Sequence, residues 1–348
     1  MQTKHILPLT GIRFFAAIWV VLLHIPMLRL LCPWLQTLSS LVNLGFHAVP
    51  FFFILSGFIL SHNYLPYYSL SQHPKFVFLR FARLWPVHVV MLLLVAPLFS
   101  WPASRVEELF MVRSWYSREV LWNGPAWSIS AEWFAYLCLF PLASLFFGRI
   151  RSVPSLVIVV TLFLAAHAYS FGEILFSNLS RCGEICFLFP AGCGLYRIYT
   201  LVKNPPAEKI VLLGLLLFSL YVICSDELTV FILYVAFALL IFGLAYERGF
   251  LARLLSTRIV VWGGLISYSL YMTHALIIRI AVVHTLSYWQ RWSHQELTFM
   301  RYAVLSVMLV ALIGMAAAFY YLIEVPANKK LRAFWATLEN AHWKFGQE

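Results

Sequence analysis

The sequence predicts an all-α protein, a polytopic bundle of about ten transmembrane helices with both termini in the cytoplasm. Three observations predict it. Of the 348 residues, 62% are hydrophobic and 11% charged, whereas a soluble domain carries roughly 25% charged residues and covers its surface with them. The apolar residues fall in long runs, most near the roughly 20 residues that cross a bilayer. Lys and Arg gather at alternate ends of these runs, as positive-inside topology requires.

The runs are approximately 6–28, 42–62, 78–100, 126–147, 153–170, 183–200, 210–225, 228–246, 260–284 and 299–323. The first is too long for a signal-peptide core and has no A-x-A cleavage site behind it, so it reads as a retained span. The shortest, 210–225, packs close to its successor across Ser225, Asp226 and Glu227. Alternate connections carry Lys75, Arg80 and Arg83, then Arg149 and Arg151, then Arg197, Lys203 and Lys209, then Arg248, Arg253 and Arg258. The tail adds Lys329, Lys330, Arg332 and Lys344. The opposite connections hold most of the acids: Glu107, Glu108, Glu119, Glu173, Asp226, Glu227 and Glu296. This asymmetry, with an even span count, places both termini in the cytoplasm.

The net charge of +11 does not point to nucleic acid, because the basic residues form no stripe interleaved with aromatics; the expected surroundings are membrane lipids. Cys32, Cys138, Cys182, Cys186, Cys193 and Cys224 lie mostly in or beside apolar runs and read as small apolar residues. Cys182 and Cys186 are one helical turn apart, but no His ligands accompany them, so no metal is expected. No internal repeat, low-complexity segment or appended soluble domain is apparent, and 1–348 reads as a single transmembrane domain. The connection 101–125 carries Trp101, Trp115, Tyr116 and Trp122, residues suited to an interfacial belt or to stacking on sugar rings.

Ionisable groups are costly in hydrocarbon, so those inside spans are functional candidates. In the first span Arg13 and His24 return to within about 20° of one face and stand about 16 Å apart along the axis. Arg13 could instead snorkel to the interface, and His24 could be a satisfied core residue. Arg80 and Arg83, spaced i, i+3 at the opening of the third span, present two guanidinium forks suited to phosphate, or else a positive-inside anchor. Ser128 and Glu132 share a face of the fourth span, Glu132 near the depth of His24. There the carboxylate could orient the imidazole as in hydrolase triads, or pair with an arginine or tyrosine. Tyr271 and His274 are i, i+3 neighbours in the ninth span, His274 a second candidate base or part of a polar wall. Glu324 could balance one of the arginines, and Pro326 is expected to stop the tenth helix. Phe51 to Phe58 reads as packing, with Ser56 and Gly57 permitting close helix approach.

Together these motifs resemble the acyltransferase 3 family of membrane O-acyltransferases along nearly the whole chain. The pieces are Leu9-Thr-Gly-Ile-Arg13-Phe with His24; Phe52-Phe-Ile-Leu-Ser-Gly-Phe58; Arg80-x-x-Arg83 with Pro86; Trp127-Ser-x-Ser-x-Glu132; Ser267-Tyr-x-x-Tyr271-x-x-His274; and Glu324-x-Pro326. The resemblance implies transfer of an acyl group, usually acetyl, from cytoplasmic acyl-CoA to a hydroxyl of a carbohydrate or antibiotic scaffold. It implies the family's essential arginine and histidine in Arg13 and His24, its arginine pair in Arg80 and Arg83, and its Ser-x-x-x-Glu element in Ser128 and Glu132. Thr10 departs from the aspartate more usual in the family. No permanently bound cofactor is expected, and acyl-CoA is the donor substrate. The acceptor is expected to be a carbohydrate or lipid-linked glycan, and the setting the bacterial inner membrane. The rival class is a transporter or flippase for lipid-linked sugars; such proteins often show inverted repeats or broken helices, and neither is seen.

Overall fold

In a computed structural model, the structure describes residues 5–25, 39–98, 106–117, 122–172, 182–224, 229–289 and 294–345. Cys32, Trp101, Glu119, Glu173, Ser225, Asp226, Glu227 and the predicted span ends at 26–28 and 99–100 lie outside the described residues. All regular structure among the described residues is helical. The long helices are α1 (Leu7–Leu23), α2 (Ala48–Tyr64), α3 (His73–Val95), α4 (Ala126–Arg149), α5 (Val153–Gly172), α6 (Cys182–Leu201), α7 (Ala207–Cys224), α8 (Val230–Leu244), α9 (Arg258–Trp289), α10 (His294–Phe319) and α11 (Val325–Phe345). Among the described residues, seven helices are long and apolar enough to cross a membrane, and α1 and α8 are shorter apolar helices. Helices α1 to α10 overlie the ten runs predicted from sequence, and α11 lies beyond the last of them.

Burial sorts these helices into a centre and a rim. The apolar windows of α2 and α9 are 78% buried inside the protein, those of α5, α7 and α10 only 22%. Exposed apolar side chains such as Leu162, Leu216 and Val310 would be ruinous in water over so large a surface and are what a lipid-facing helix requires.

The central helices approach closely because glycines let backbones touch. A Cβ on Gly57 would meet the Phe189 carbonyl, and one on Gly192 would meet that of Ile54, so α2 and α6 cross with reciprocal small residues. This bears out the role expected of Gly57. Gly11 and Gly264 do the same where α1 crosses α9: Gly264 lies against the Thr10 carbonyl and Gly11 against that of Leu255.

Two helices differ from expectation in ways that place the site. Helix α3 begins at His73, earlier than 78, because Pro74 is preorganised for a first turn. Arg80 and Arg83 therefore lie within its second and third turns rather than opening it. Pro326 does not end a helix. A π turn at Tyr320–Glu324 separates α10 from α11, so Pro326 falls in the first turn of α11, where a missing N–H costs little. A second π turn, Ala135–Leu139, interrupts α4. Such turns rotate side chains out of the α register, often at functional sites. Here they deliver Tyr136 and Glu324.

Candidate active site

A cavity of about 150 Å³ lies among α1, α2, α3, α4 and α9, lined by Arg13, Ser56, Arg80, Arg83, Ser128, Glu132, Tyr136, Tyr268 and Tyr271 among others. Three guanidinium groups in one partly apolar chamber must be accounted for one at a time, since each is costly unless paired.

Arg83 is paired internally. Its Nη1 forms an ion pair with Glu324, whose side chain is fully buried, and Ser269 Oγ donates to the other carboxylate oxygen at 2.7 Å. The guanidinium lies over the Tyr268 ring, 5.7 Å from its centroid, and Tyr268 donates to the Leu84 carbonyl at 2.6 Å. Arg13 has Glu132, Tyr136 and Tyr320 as its charged and phenolic neighbours. Arg80 differs from Arg83. It donates to Tyr64 Oη at 2.6 Å and lies 5.0 Å from that ring's centroid. No carboxylate among the described residues pairs with it, and its buried Nε has no hydrogen-bond partner among them. With two carboxylates against three guanidiniums, one positive charge is uncompensated, and among the described residues Arg83 alone of the three has a carboxylate in ion-pairing contact.

Glu132 is held by hydroxyls. Ser56 Oγ donates to it at 2.6 Å, the Tyr136 hydroxyl hydrogen-bonds to it, and Ser56 Oγ and Tyr136 Oη are 3.4 Å apart. One turn earlier on α4, Ser128 Oγ donates to Tyr271 Oη at 2.8 Å and lies 3.2 Å from the Pro125 carbonyl. The loop before α4 is tied to the same helix by Asn123 Nδ2, which donates to the Met272 carbonyl at 3.1 Å.

The histidines form a separate pair beyond Tyr271. His24, exposed at the C-cap of α1, has Nδ1 2.8 Å from the Val20 carbonyl. His274 is fully buried, with Nδ1 2.6 Å from the Tyr271 carbonyl. The two rings meet edge to face with centroids 5.0 Å apart. A carbonyl only accepts hydrogen bonds, so each Nδ1 carries the proton and each Nε2 is left as a lone pair.

Arg13, Arg80, Arg83, Ser128, Glu132 and Tyr271 thus share one cavity, while His24 and His274 meet next to it and Glu324 buttresses it through Arg83. The His24–Glu132 contact left open by the sequence is replaced by others: the Val20 carbonyl orients His24, and Ser56 and Tyr136 hold Glu132. The reason is axial. Ser128 marks the level of Tyr271, Glu132 is one turn to one side of it and His274 nearly one turn to the other, which separates them by about 10 Å. Ser56, assigned to packing from sequence, makes the shortest contact to Glu132. A hydroxyl inside the Phe-rich run of a central span was the signal for it. Tyr136 and Tyr64 carried no comparable signal, since the π turn that aims Tyr136 is invisible in sequence.

An all-helical bundle with apolar spans and a buried arginine–carboxylate chamber beside a pair of histidines defines the class, an integral membrane protein. Comparison with known proteins makes it specific. The model of the family described as an acyltransferase domain, acyltransferase 3, matches residues 7–320, and the chain belongs to that family. It is also similar to Acyltransferase MdmB of Streptomyces mycarofaciens, 30% identical over 162 residues, covering 42% of this chain and 40% of the relative. The aligned part is thus less than half of the relative's length. No solved structure matches the chain significantly.

Proposed function

We propose that the protein is an O-acyltransferase of the bacterial cytoplasmic membrane that moves an acyl group, acetyl in the first instance, from cytoplasmic acyl-CoA to a hydroxyl of an exported or cell-surface carbohydrate. The observation that carries this reading is the excess positive charge of Arg13 and Arg80, neither in an ion pair among the described residues, in a cavity that extends to Tyr271, whose carbonyl holds His274 against His24. A guanidinium with unused donors is suited to a phosphate group. In a ten-span arrangement with cytoplasmic termini, that end of the cavity faces the cytoplasm, where acyl-CoA is available. The phosphates of the donor rest on Arg80, with Arg13 beside it. The pantetheine arm runs toward His24, a distance of about 16 Å from Arg13.

At the far end, the lone pair on His24 Nε2 takes the proton of the acceptor hydroxyl as its oxygen bonds to the thioester carbonyl carbon. The carbonyl π electrons move onto oxygen, and the hydroxyls of Ser128 and Tyr271 are the nearby donors for that charge. Collapse breaks the C–S bond, and the departing thiolate recovers the proton from His24. The products are an ester and free CoA. A transporter needs no thioester donor, and family membership favours the enzyme.

The test is incorporation of radiolabelled acetyl from acetyl-CoA by bacterial membranes containing the protein, with the glycan fraction and small-molecule extracts counted separately. Label in glycan supports the full reading. Label confined to a small molecule moves the acceptor to an antibiotic-like scaffold. Membranes that consume no acyl-CoA overturn the proposal.

A further inference from the structure

Resting on that acyl-transfer reading, we infer that His274 is a positioning residue whose unprotonated Nε2 stabilises the charged form of His24 during transfer. Three features assign this role. Among the described residues Nε2 of His274 has no hydrogen-bond partner, although the side chain is fully buried and an unsatisfied buried acceptor is costly. Its Nδ1 proton is committed to the Tyr271 carbonyl, so the ring cannot turn a donor toward its neighbour. Its ring touches His24 edge to face with centroids 5.0 Å apart, too close for a water between them.

The consequence is a bias between two states of His24. While His24 is neutral, two imidazoles that both present lone pairs gain little from each other. Once His24 has taken the hydroxyl proton it is an imidazolium, and the fully buried ring of His274, its centroid 5.0 Å away, sets its dipole beside a positive charge. An interaction that is strong in the transition state and weak in the ground state raises turnover without tightening binding. Tyr271 joins the two halves of the site: its hydroxyl lines the donor cavity while its carbonyl fixes the tautomer of His274. This is second-sphere orientation of the sort that sets histidine protonation elsewhere.

The test compares wild type with His274→Phe and His274→Gln in membranes, measuring acetyl transfer into membrane acceptor and equilibrium binding of acetyl-CoA. The Gln carboxamide oxygen accepts as Nε2 does, whereas Phe fills the space without a lone pair. Turnover in His274→Phe is expected to fall about 100-fold with acetyl-CoA affinity unchanged, and His274→Gln to recover to within about tenfold of wild type. Equal turnover in wild type and His274→Phe overturns the inference and leaves the acyltransferase reading standing. So does a loss that is the same in Gln and Phe, or one that accompanies lost acetyl-CoA binding, since a structural role explains either. Wild-type membranes that transfer nothing overturn both.

Discussion

Arg83 and Glu324, on helices far apart in sequence, form a buried ion pair at the edge of the cavity. Three residues earlier on the same helix, Arg80 has no such partner among the described residues. That contrast divides a motif of two like residues into a brace and a guanidinium that, on the proposed reading, receives the donor's phosphates.

Removing one partner of the brace leaves an uncompensated charge in an apolar interior. Glu324→Ala is expected to cost about 3–5 kcal/mol, read as a marked fall in the thermal unfolding midpoint in detergent. The double variant Arg83→Met/Glu324→Leu removes both charges and is expected to recover most of that loss. An unshifted midpoint in Glu324→Ala contradicts the assignment.

Ser56 and Glu132 are coupled by a hydrogen bond of 2.6 Å to a carboxylate. A double-mutant cycle of Ser56→Ala and Glu132→Gln is expected to return about 1–2 kcal/mol of interaction energy. Strict additivity would return Ser56 to a packing role.

Gly57 and Gly148 offer a matched pair. A Cβ at Gly57 meets backbone of α6, while nothing lies within 4 Å of one at Gly148. Gly57→Ala is expected to lose about 1–3 kcal/mol and to lower the yield of folded protein. Gly148→Ala is expected to be neutral or slightly stabilising. Detergent-solubilised yield and melting temperature measure both.

His24→Ala removes the only one of the paired histidines whose side chain is exposed. Its transfer rate is expected to fall by roughly 10²–10⁴, with acetyl-CoA affinity kept, because the ring does not line the cavity proposed for the donor. Lost binding in this variant would instead place His24 on the donor.

Much of this was legible in the sequence, because the bilayer constrains it so strongly. The class follows from composition, and the helices follow from apolar runs. Arg13 could be grouped with Arg80 and Arg83, and Ser128 with Glu132, because intramembrane polar residues are rare. What sequence could not give were contacts set by rotation about helix axes. The π turns at Ala135–Leu139 and Tyr320–Glu324 swing Tyr136 toward Glu132 and Glu324 toward Arg83. No local pattern announces them, and a Pro at 326 argued for a stop. Depth also misled. Glu132, placed at a height similar to that of His24, lies about 10 Å along the axis from His274, the ring that meets His24, once the Ser128–Tyr271 bond fixes the register of α4 against α9.

The most direct test of the central claim is equilibrium binding of radiolabelled acetyl-CoA to membranes containing wild type, Arg80→Gln and His24→Ala. Binding by wild type and His24→Ala, weakened at least tenfold in Arg80→Gln, is the result this account predicts. Wild-type membranes that bind no acetyl-CoA, or an Arg80→Gln variant that binds it as tightly as wild type, would contradict it.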